Sequence, residues 1–494
     1  MVCCTSAVCE RRTRRWIRLR NMDGENRNMK QAKVFIKTYG CQMNELDSEF
    51  IMGDVLARGF DQARSESDAD IILLNTCCVR EMAERKALGK MGLLGQMKRE
   101  KPDLILGICG CMAQKRKQQL LNEMPFLDIV CGTAQMGQLP EMISSVQKSR
   151  ARQLRVEDDS VGELDFGAAR RKSSVKAFVS IMRGCDNYCS YCVVPYVRGR
   201  ERSRPPEQIL AEIEKLAERG YKEVTLLGQN VNSYGKGLAG KCDLVGLLEQ
   251  INLIKGVERV RFVTSHPKDI GLRLVEAIAQ FDKVCEHLHF PLQSGSDRIL
   301  QLMNRKYAFH DYVRIVDALR TAIPDIALGT DIIVGFPSET EEDFEETVEA
   351  MRRIEYDSAF IFKYSTRENT AAAKLPDDVP LEKKKERNRI LLQLQQEISL
   401  RKNRVAIGEE VEVLVEGPSK RNPNKMMGRT RQNKIAVFDG SSQLVGEILN
   451  LTVTDATALT LFCELPHGAD VHQTKTAHGE QQQADAALRT DIER

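Results

Sequence analysis

Two long stretches of the chain alternate short apolar runs with helical patterns, and cysteines stand where several of those runs end. That alternation limits the possible folds more than any other feature. Between residues 32 and 147 the runs are Lys33–Lys37, Ile71–Asn75, Leu104–Ile108 and Asp128–Cys131. The first helical pattern opens near Asn44, a good N-cap, and stops at Gly59. Strands alternating with helices build βαβ units, so this block is expected to be a doubly wound parallel sheet in an α/β chain. Ligands of such sheets bind outside the carboxyl ends of the strands. Cys41, Cys77, Cys78, Cys109, Cys111 and Cys131 fall at those ends. Parallel strands end on one edge, so cysteines remote in sequence can meet there.

Residues 148–176 are polar and mixed in charge, and read as a linker. From 177 to 404 six further runs follow: Ala177–Met182, Glu223–Leu227, Arg259–Thr264, Val284–Phe290, Ala327–Val334 and Ser358–Lys363. One intervening helix is opened by Pro205–Pro206 and closed by Gly220; another has the capping box Ser338-x-x-Glu341, with Phe344, Val348 and Met351 on one face. Six βα repeats predict a partial (βα)6 barrel whose chemistry lies at the carboxyl ends of its strands. A charged helical segment, Leu381–Arg404, leads to residues 405–466, where short alternating runs (Glu412–Val415, Ile435–Phe438, Leu459–Cys463) predict a small antiparallel β-barrel. That block carries Lys420, Arg421, Lys425, Arg429, Arg431 and Lys434 with no acid among them. A charge run is ordinarily a solvated loop. On a small barrel, a nucleic-acid surface stands beside that reading.

The ends do not read as fold. Residues 1–31 hold Cys3, Cys4 and Cys9 and then six arginines between Arg11 and Arg20. An Arg-rich, acid-poor start can be a transit peptide. The favoured reading is a disordered extension, or a start at Met22 or Met29. Residues 467–494 read as a disordered, solvated tail. No stretch is apolar enough for a membrane span, and 15 cysteines in 494 residues are too few for a disulfide scaffold. A reducing, cytoplasmic setting with metal or redox chemistry is expected. The formal net charge of +3 leaves nucleic-acid binding to local patches.

The sharpest motif is Gly184-Cys185-Asp186-Asn187-Tyr188-Cys189-Ser190-Tyr191-Cys192, a C-x3-C-x2-C just after the first barrel strand. A closed zinc site needs four ligands, and no fourth Cys or His follows nearby. Three thiolates and an open position suit an iron–sulfur cluster with one free iron. The motif resembles that of the radical S-adenosylmethionine enzymes. Its surroundings sharpen the resemblance: Tyr39-Gly40-Cys41-Gln42-Met43-Asn44, Asn75-Thr76-Cys77, Gly110-Cys111, Val193-Val194-Pro195-Tyr196, Arg202-Ser203-Arg204-Pro205, Gly228-Gln229-Asn230, Ser265-His266-Pro267, Gln293-Ser294-Gly295-Ser296 and Gly335-Phe336-Pro337. In this order they resemble the methylthiotransferase family, over about Lys33 to Glu464.

The resemblance implies a methylthiotransferase domain (32–147), a radical S-adenosylmethionine domain (177–404) and an RNA-binding TRAM barrel (405–466). It implies a 4Fe–4S cluster on Cys185, Cys189 and Cys192 that chelates S-adenosylmethionine, and a second 4Fe–4S cluster on Cys41, Cys77 and Cys111 that handles the inserted sulfur. The N-T-C and G-C contexts select Cys77 and Cys111 over Cys78 and Cys109. Alternation along an extended chain also keeps Cys77 and Cys78 from facing one cluster together. Cys78, Cys109 and Cys131 are expected to be packed thiols. The expected activity is transfer of a methylthio group to carbon 2 of N6-(dimethylallyl)adenosine at position 37 of tRNA, by a monomer free of membranes. The sulfur source and the electron-donor protein are not identified. Alternatives are sister enzymes acting on threonylcarbamoyladenosine or on a ribosomal-protein aspartate and, from another class, a non-catalytic iron–sulfur RNA binder. Gly235-Lys236-Gly237-Leu238-Ala239-Gly240 matches a dinucleotide fingerprint but sits too far from its strand, and reads as a loop. His287 and His289 share one strand face and are expected to line the barrel.

Overall fold

Six parallel strands form the first sheet: β1 (Lys33–Tyr39), β2 (Asp61–Gln62), β3 (Ile71–Thr76), β4 (Ile105–Gly110), β5 (Ile129–Cys131) and β6 (Gln153–Arg155), in the order β2-β1-β3-β4-β5-β6. The computed structural model describes residues 31–78, 81–157, 169–240 and 242–465. The expected extension, except Gln31, the expected tail and residues 158–168 of the expected linker lie outside the described residues. Helices cover both faces, so β3 and β4 are buried at every residue, as apolar runs in a parallel sheet require. Ile72, Leu74, Leu106 and Ile108 pack on one face, Ile71, Leu73, Ile105 and Cys109 on the other. The outermost strand, β6, comes from the stretch read as linker.

The central block begins with β7 (Lys176–Ser180) and a two-residue pair, β8 (Met182–Arg183) and β9 (Arg202–Ser203). It continues with β10 (Glu223–Leu227), β11 (Arg259–Phe262), β12 (His287–His289), β13 (Ala327–Val334) and β14 (Ser358–Lys363). Parallel pairing runs β7-β10-β11, a parallel bridge from Val260 to Val284 continues it, and β12-β13-β14 complete the expected partial barrel. Side chains alternate across this wall. Val179, Val224, Val260, Leu288, Leu328 and Ile361 meet the outer helices. By the same alternation Phe178, Thr225, Arg261, His287, His289, Asp331 and Phe360 face the lumen. The helix Gln42–Ala57 closes the lumen's open side, its Met43, Leu46 and Phe50 packing with Phe178, Leu227 and Val263.

Five strands make the last unit: β15 (Glu410–Pro418), β16 (Met426–Thr430), β17 (Ile435–Phe438), β18 (Ile448–Ala456) and β19 (Thr460–Glu464). They close in the order β15-β16-β17-β19-β18. The expected barrel is present, but β17 and β19 run parallel. An odd number of strands around a closed ring cannot alternate throughout, so one pair must be parallel. The charged helix Leu381–Val405 ties this unit to the partial barrel; its Asn403 side chain donates to the Thr457 carbonyl at 2.8 Å. Among the described residues, no helix is long and apolar enough to cross a membrane.

The basic run does not form the free RNA face considered above. The Arg431 guanidinium donates to both Glu286 oxygens at 2.7–3.0 Å and to the carbonyls of Asp282 and Val284 at 2.9 Å. Arg429 pairs with Glu416, and Lys434 lies 3.6 Å from Asp357. In return, fully buried Arg259 donates to Glu412 and to the Arg429 carbonyl, each at 2.7 Å. Arg261 donates to the carbonyls of Thr430 and Arg431 at 2.7 Å. Arg259, Glu286 and Asp357 all stand at the amino ends of barrel strands, so the small barrel docks on the bottom of the large one. Only Lys420 and Arg421 of the run stay exposed with no ion-pair partner among the described residues.

Candidate active site

The first three cysteine-bearing turns are tied together by a buried amide network. The helix Gln42–Ala57 starts two residues before the expected Asn44, with Cys41 at its N-cap. Asn44 therefore sits in the first turn, where its side-chain oxygen accepts from the Cys41 N–H at 3.3 Å. The Asn44 amide donates to the Asn75 oxygen at 3.1 Å, and the Asn75 amide donates to the Asn44 carbonyl at 2.8 Å. The ends of β1 and β3 are thus fixed against each other. Gly110 has φ +96°, and a Cβ there would meet the Asn75 oxygen at 2.5 Å and the Thr76 carbonyl at 2.6 Å. Only glycine lets β4 bring Cys111 so close to the other two. The G-C-Q-M-N, N-T-C and G-C motifs are three parts of this one contact.

The thiols themselves form two contacts. Cys41 is hydrogen-bonded with Cys77; that bond, with help from Arg198, holds the Cys41 thiol down to about 6. Cys111 is hydrogen-bonded with Cys78, and this contact, again with Arg198, brings it to about 7. The alternation argument had turned Cys78 away. It fails because β3 ends at Thr76, and both cysteines lie in the turn beyond it. Cys109 and Cys131 are fully buried neighbours in β4 and β5, and burial drives both thiols up, as expected of packed cysteines.

The second cysteine set follows β8. Gly184 has φ +78°, and a Cβ there would lie 2.0 Å from the Arg200 carbonyl. Its N–H donates to Gln229 at 2.5 Å, which sets the entry to the loop. The Cys189 thiol is buried, 3.4 Å from a guanidinium nitrogen of Arg305 and 3.9 Å from Nε2 of His266. Arg305 is held by the Pro291 carbonyl and the Tyr307 hydroxyl, both at 3.0 Å. Burial, then the Arg305 charge, lower the His266 pKa strongly and keep the imidazole neutral. Burial raises Cys185 to about 11 and Cys192 to about 12, so these thiols must shed protons on binding a metal.

One residue joins the two sets. Arg198 ends the short helix Val194–Arg198 that follows Cys192, and donates to Asp47 at 2.7 Å with both side chains buried. Val193 and Val197 pack among Cys78, Cys111 and Met112, so this piece of the barrel domain is seated in the first domain. Arg198 sits in the field of Cys41 and Cys111 and holds its charge there. Sequence reading gave roles to the cysteines but none to Arg198, Arg305 or His266; only His266 lay in a quoted motif.

Among the described residues, no group of three or more Cys, His, Asp or Glu side chains is already gathered as a metal site. The donor chemistry still fits. Each set offers cysteine thiols, the ligands iron–sulfur clusters use, with a buried arginine beside it: Arg198 by Cys41 and Cys111, and Arg305 by Cys189.

A cysteine loop at the carboxyl edge of a parallel partial barrel is the arrangement of the Radical SAM superfamily, which matches residues 179–351. The uncharacterised protein family UPF0004 matches residues 33–132, and the TRAM domain matches 404–465. A radical S-adenosylmethionine methyltransferase from Kitasatospora setae, 15% identical, shares the fold with a TM-score of 0.51 over 67% of this chain and 73% of that one. The chain is 48% identical over 446 residues to a tRNA-2-methylthio-N(6)-dimethylallyladenosine synthase of Clostridium novyi, covering 90% of this chain and 99% of that protein. A synthase of the same name from Syntrophomonas wolfei is 46% identical over 440 residues, 89% of this chain and 99% of that protein. The chain belongs to the tRNA-2-methylthio-N(6)-dimethylallyladenosine synthase family.

Proposed function

We propose that this chain transfers a methylthio group to carbon 2 of N6-(dimethylallyl)adenosine at position 37 of tRNA, acting as a monomer in the cytoplasm. The observation that carries the reading is Arg198, six residues past Cys192, buried against Asp47 and within the field of Cys41 and Cys111, in a chain that aligns over 90% of its length with a synthase of that name. Cys185, Cys189 and Cys192 would hold one 4Fe–4S cluster, and Cys41, Cys77 and Cys111 the other. When bound, S-adenosylmethionine would supply the methyl group and, given an electron from a donor outside the chain, the radical that an unactivated carbon–hydrogen bond requires, while the second cluster would handle the inserted sulfur.

The chain's own residues do the positioning. Arg305 donates to the Cys189 sulfur at 3.4 Å and fixes its position. Neutral His266 stands on the same sulfur without competing for its proton. Arg198 fixes the domain interface through Asp47 and places a positive charge beside Cys41 and Cys111. Met43 and Phe50 cover the lumen's side, packing with Phe178, Leu227 and Val263. The test is anaerobic reconstitution with iron and sulfide, followed by S-adenosylmethionine and a reductant. Release of 5′-deoxyadenosine supports the enzyme reading. Bound clusters with no cofactor cleavage would leave a non-catalytic iron–sulfur RNA binder.

A further inference from the structure

The loop that carries the second cysteine set also turns two tyrosine rings outward. Tyr188 is 43% exposed and Tyr196 47%, and their ring centroids lie 6.2 Å apart, edge to face. Single exposed apolar side chains are ordinary. These two touch, and the backbone holds both out. Tyr188 has φ +49°, a left-handed conformation uncommon for a bulky residue. Its carbonyl accepts from the Asn304 amide at 2.9 Å. Tyr196 rides on the helix Val194–Arg198, whose Pro195, Val197 and Arg198 are buried.

Charged side chains surround the cysteine loop beside the pair. Arg200 lies within electrostatic reach of Tyr188 and is paired with Asp186 at 2.7 and 3.2 Å. Exposed Lys236 acts on Asp186, and Lys236 and exposed Lys306 both act on His266 beside Cys189. Arg200, Lys236, Lys268 and Lys306 face the carboxylates of Asp186, Glu201 and Asp269, four cations to three acids. Exposed aromatic rings among cations are a surface for single-stranded nucleic acid, since every base has a face to stack and every nucleotide a phosphate.

We propose that Tyr188 and Tyr196 form a stacking platform for an unpaired base adjoining the nucleotide being modified, and so set the register of the anticodon loop over the cysteine loop. The proposal rests on the tRNA reading above and adds to it the surface that seats the flanking nucleotide. Stacking reads no base edge, so the platform contributes affinity and register rather than sequence choice.

The experiment uses reconstituted holoenzyme and a labelled anticodon stem-loop RNA with N6-(dimethylallyl)adenosine at position 37, titrated by anisotropy. The variants are Tyr188→Asn, because asparagine tolerates the left-handed backbone, Tyr196→Leu, and Tyr→Phe at each site. Iron content equal to the parent's reports an intact loop. The first two variants should bind about 5- to 150-fold more weakly, the range for one lost base–aromatic stack, while the Phe variants stay near the parent. An abasic site on one side of position 37 should weaken the parent by a similar factor and the Asn and Leu variants by little. Parent-like affinity of both variants, or equal abasic losses in parent and variants, overturns the platform while leaving the tRNA reading intact. A parent that does not bind the RNA overturns both.

Discussion

Replacing Arg431 with glutamine should loosen the docking of the small barrel and leave the electrostatic part of RNA binding unchanged. Arg431 makes charge-assisted bonds to both oxygens of Glu286 and donates to the carbonyls of Asp282 and Val284. Its side chain is 20% exposed and that of Glu286 23%. Breaking a fully buried pair costs about 3–5 kcal/mol, whereas exposed pairs contribute about 0–1 kcal/mol. A pair four-fifths buried, with two carbonyl bonds besides, should lie between, at about 2–3 kcal/mol. That corresponds to roughly 30- to 150-fold in the docking equilibrium. Hydrogen exchange at the β16 and β17 amides should accelerate by that factor, and a double-mutant cycle with Glu286→Gln should show strong coupling. Affinity for tRNA should fall at every salt concentration with the same slope of log K against log salt. Lys420→Gln and Arg421→Gln, by contrast, should each flatten that slope by about 0.7–0.9 if they touch phosphate. Unchanged exchange together with a flattened slope in Arg431→Gln would refute this reasoning and return Arg431 to the RNA surface.

Three further outcomes follow. Reconstituted parent should hold about eight irons; alanine at Cys185, Cys189 and Cys192, or at Cys77, should leave about four, while Cys78→Ala keeps about eight, all read by iron analysis. Arg198→Ala strands buried Asp47 and should cost about 3–5 kcal/mol, seen as a lower thermal or urea midpoint at equal iron content. Burial alone would raise the Asp343 pKa, but hydrogen bonds from Arg298, Ser296 and Thr340 outweigh it and hold the carboxyl well below the usual range. A depressed folded pKa means the stabilisation is complete above about pH 4 and is lost as pH falls through the folded value. Acid-unfolding curves of Asp343→Asn should therefore lose part of the parent's pH dependence below about pH 4.

Local patterns carried most of the fold into the sequence. Apolar runs separated by helical patterns marked ten strands of the two parallel units, because a strand in a parallel sheet must turn apolar side chains toward the helices that cover it. Cysteines at strand ends announced the shared edge for the same geometric reason. Local rules failed where a contact, rather than a period, decides. The capping box read at Ser338 and Glu341 belongs to Thr340 and Asp343: Thr340 caps the helix and accepts from the Asp343 N–H at 3.3 Å. Cys78 meets Cys111 because the alternation rule stops where β3 stops. Arg431 looked like part of an RNA surface since its carboxylate, Glu286, lies 145 residues away in sequence, and nothing periodic joins the two. Arg198 and Arg305 were silent for the same reason: their partners, Asp47 and Cys189, come from other elements of the fold.

Nucleoside mass spectrometry of tRNA from cells with and without the gene tests the central claim most directly. The account predicts that deletion removes 2-methylthio-N6-(dimethylallyl)adenosine and leaves N6-(dimethylallyl)adenosine in its place, with restoration by the intact gene and none by a gene encoding alanine at Cys185, Cys189 and Cys192. An unchanged level of the methylthio nucleoside after deletion would contradict it.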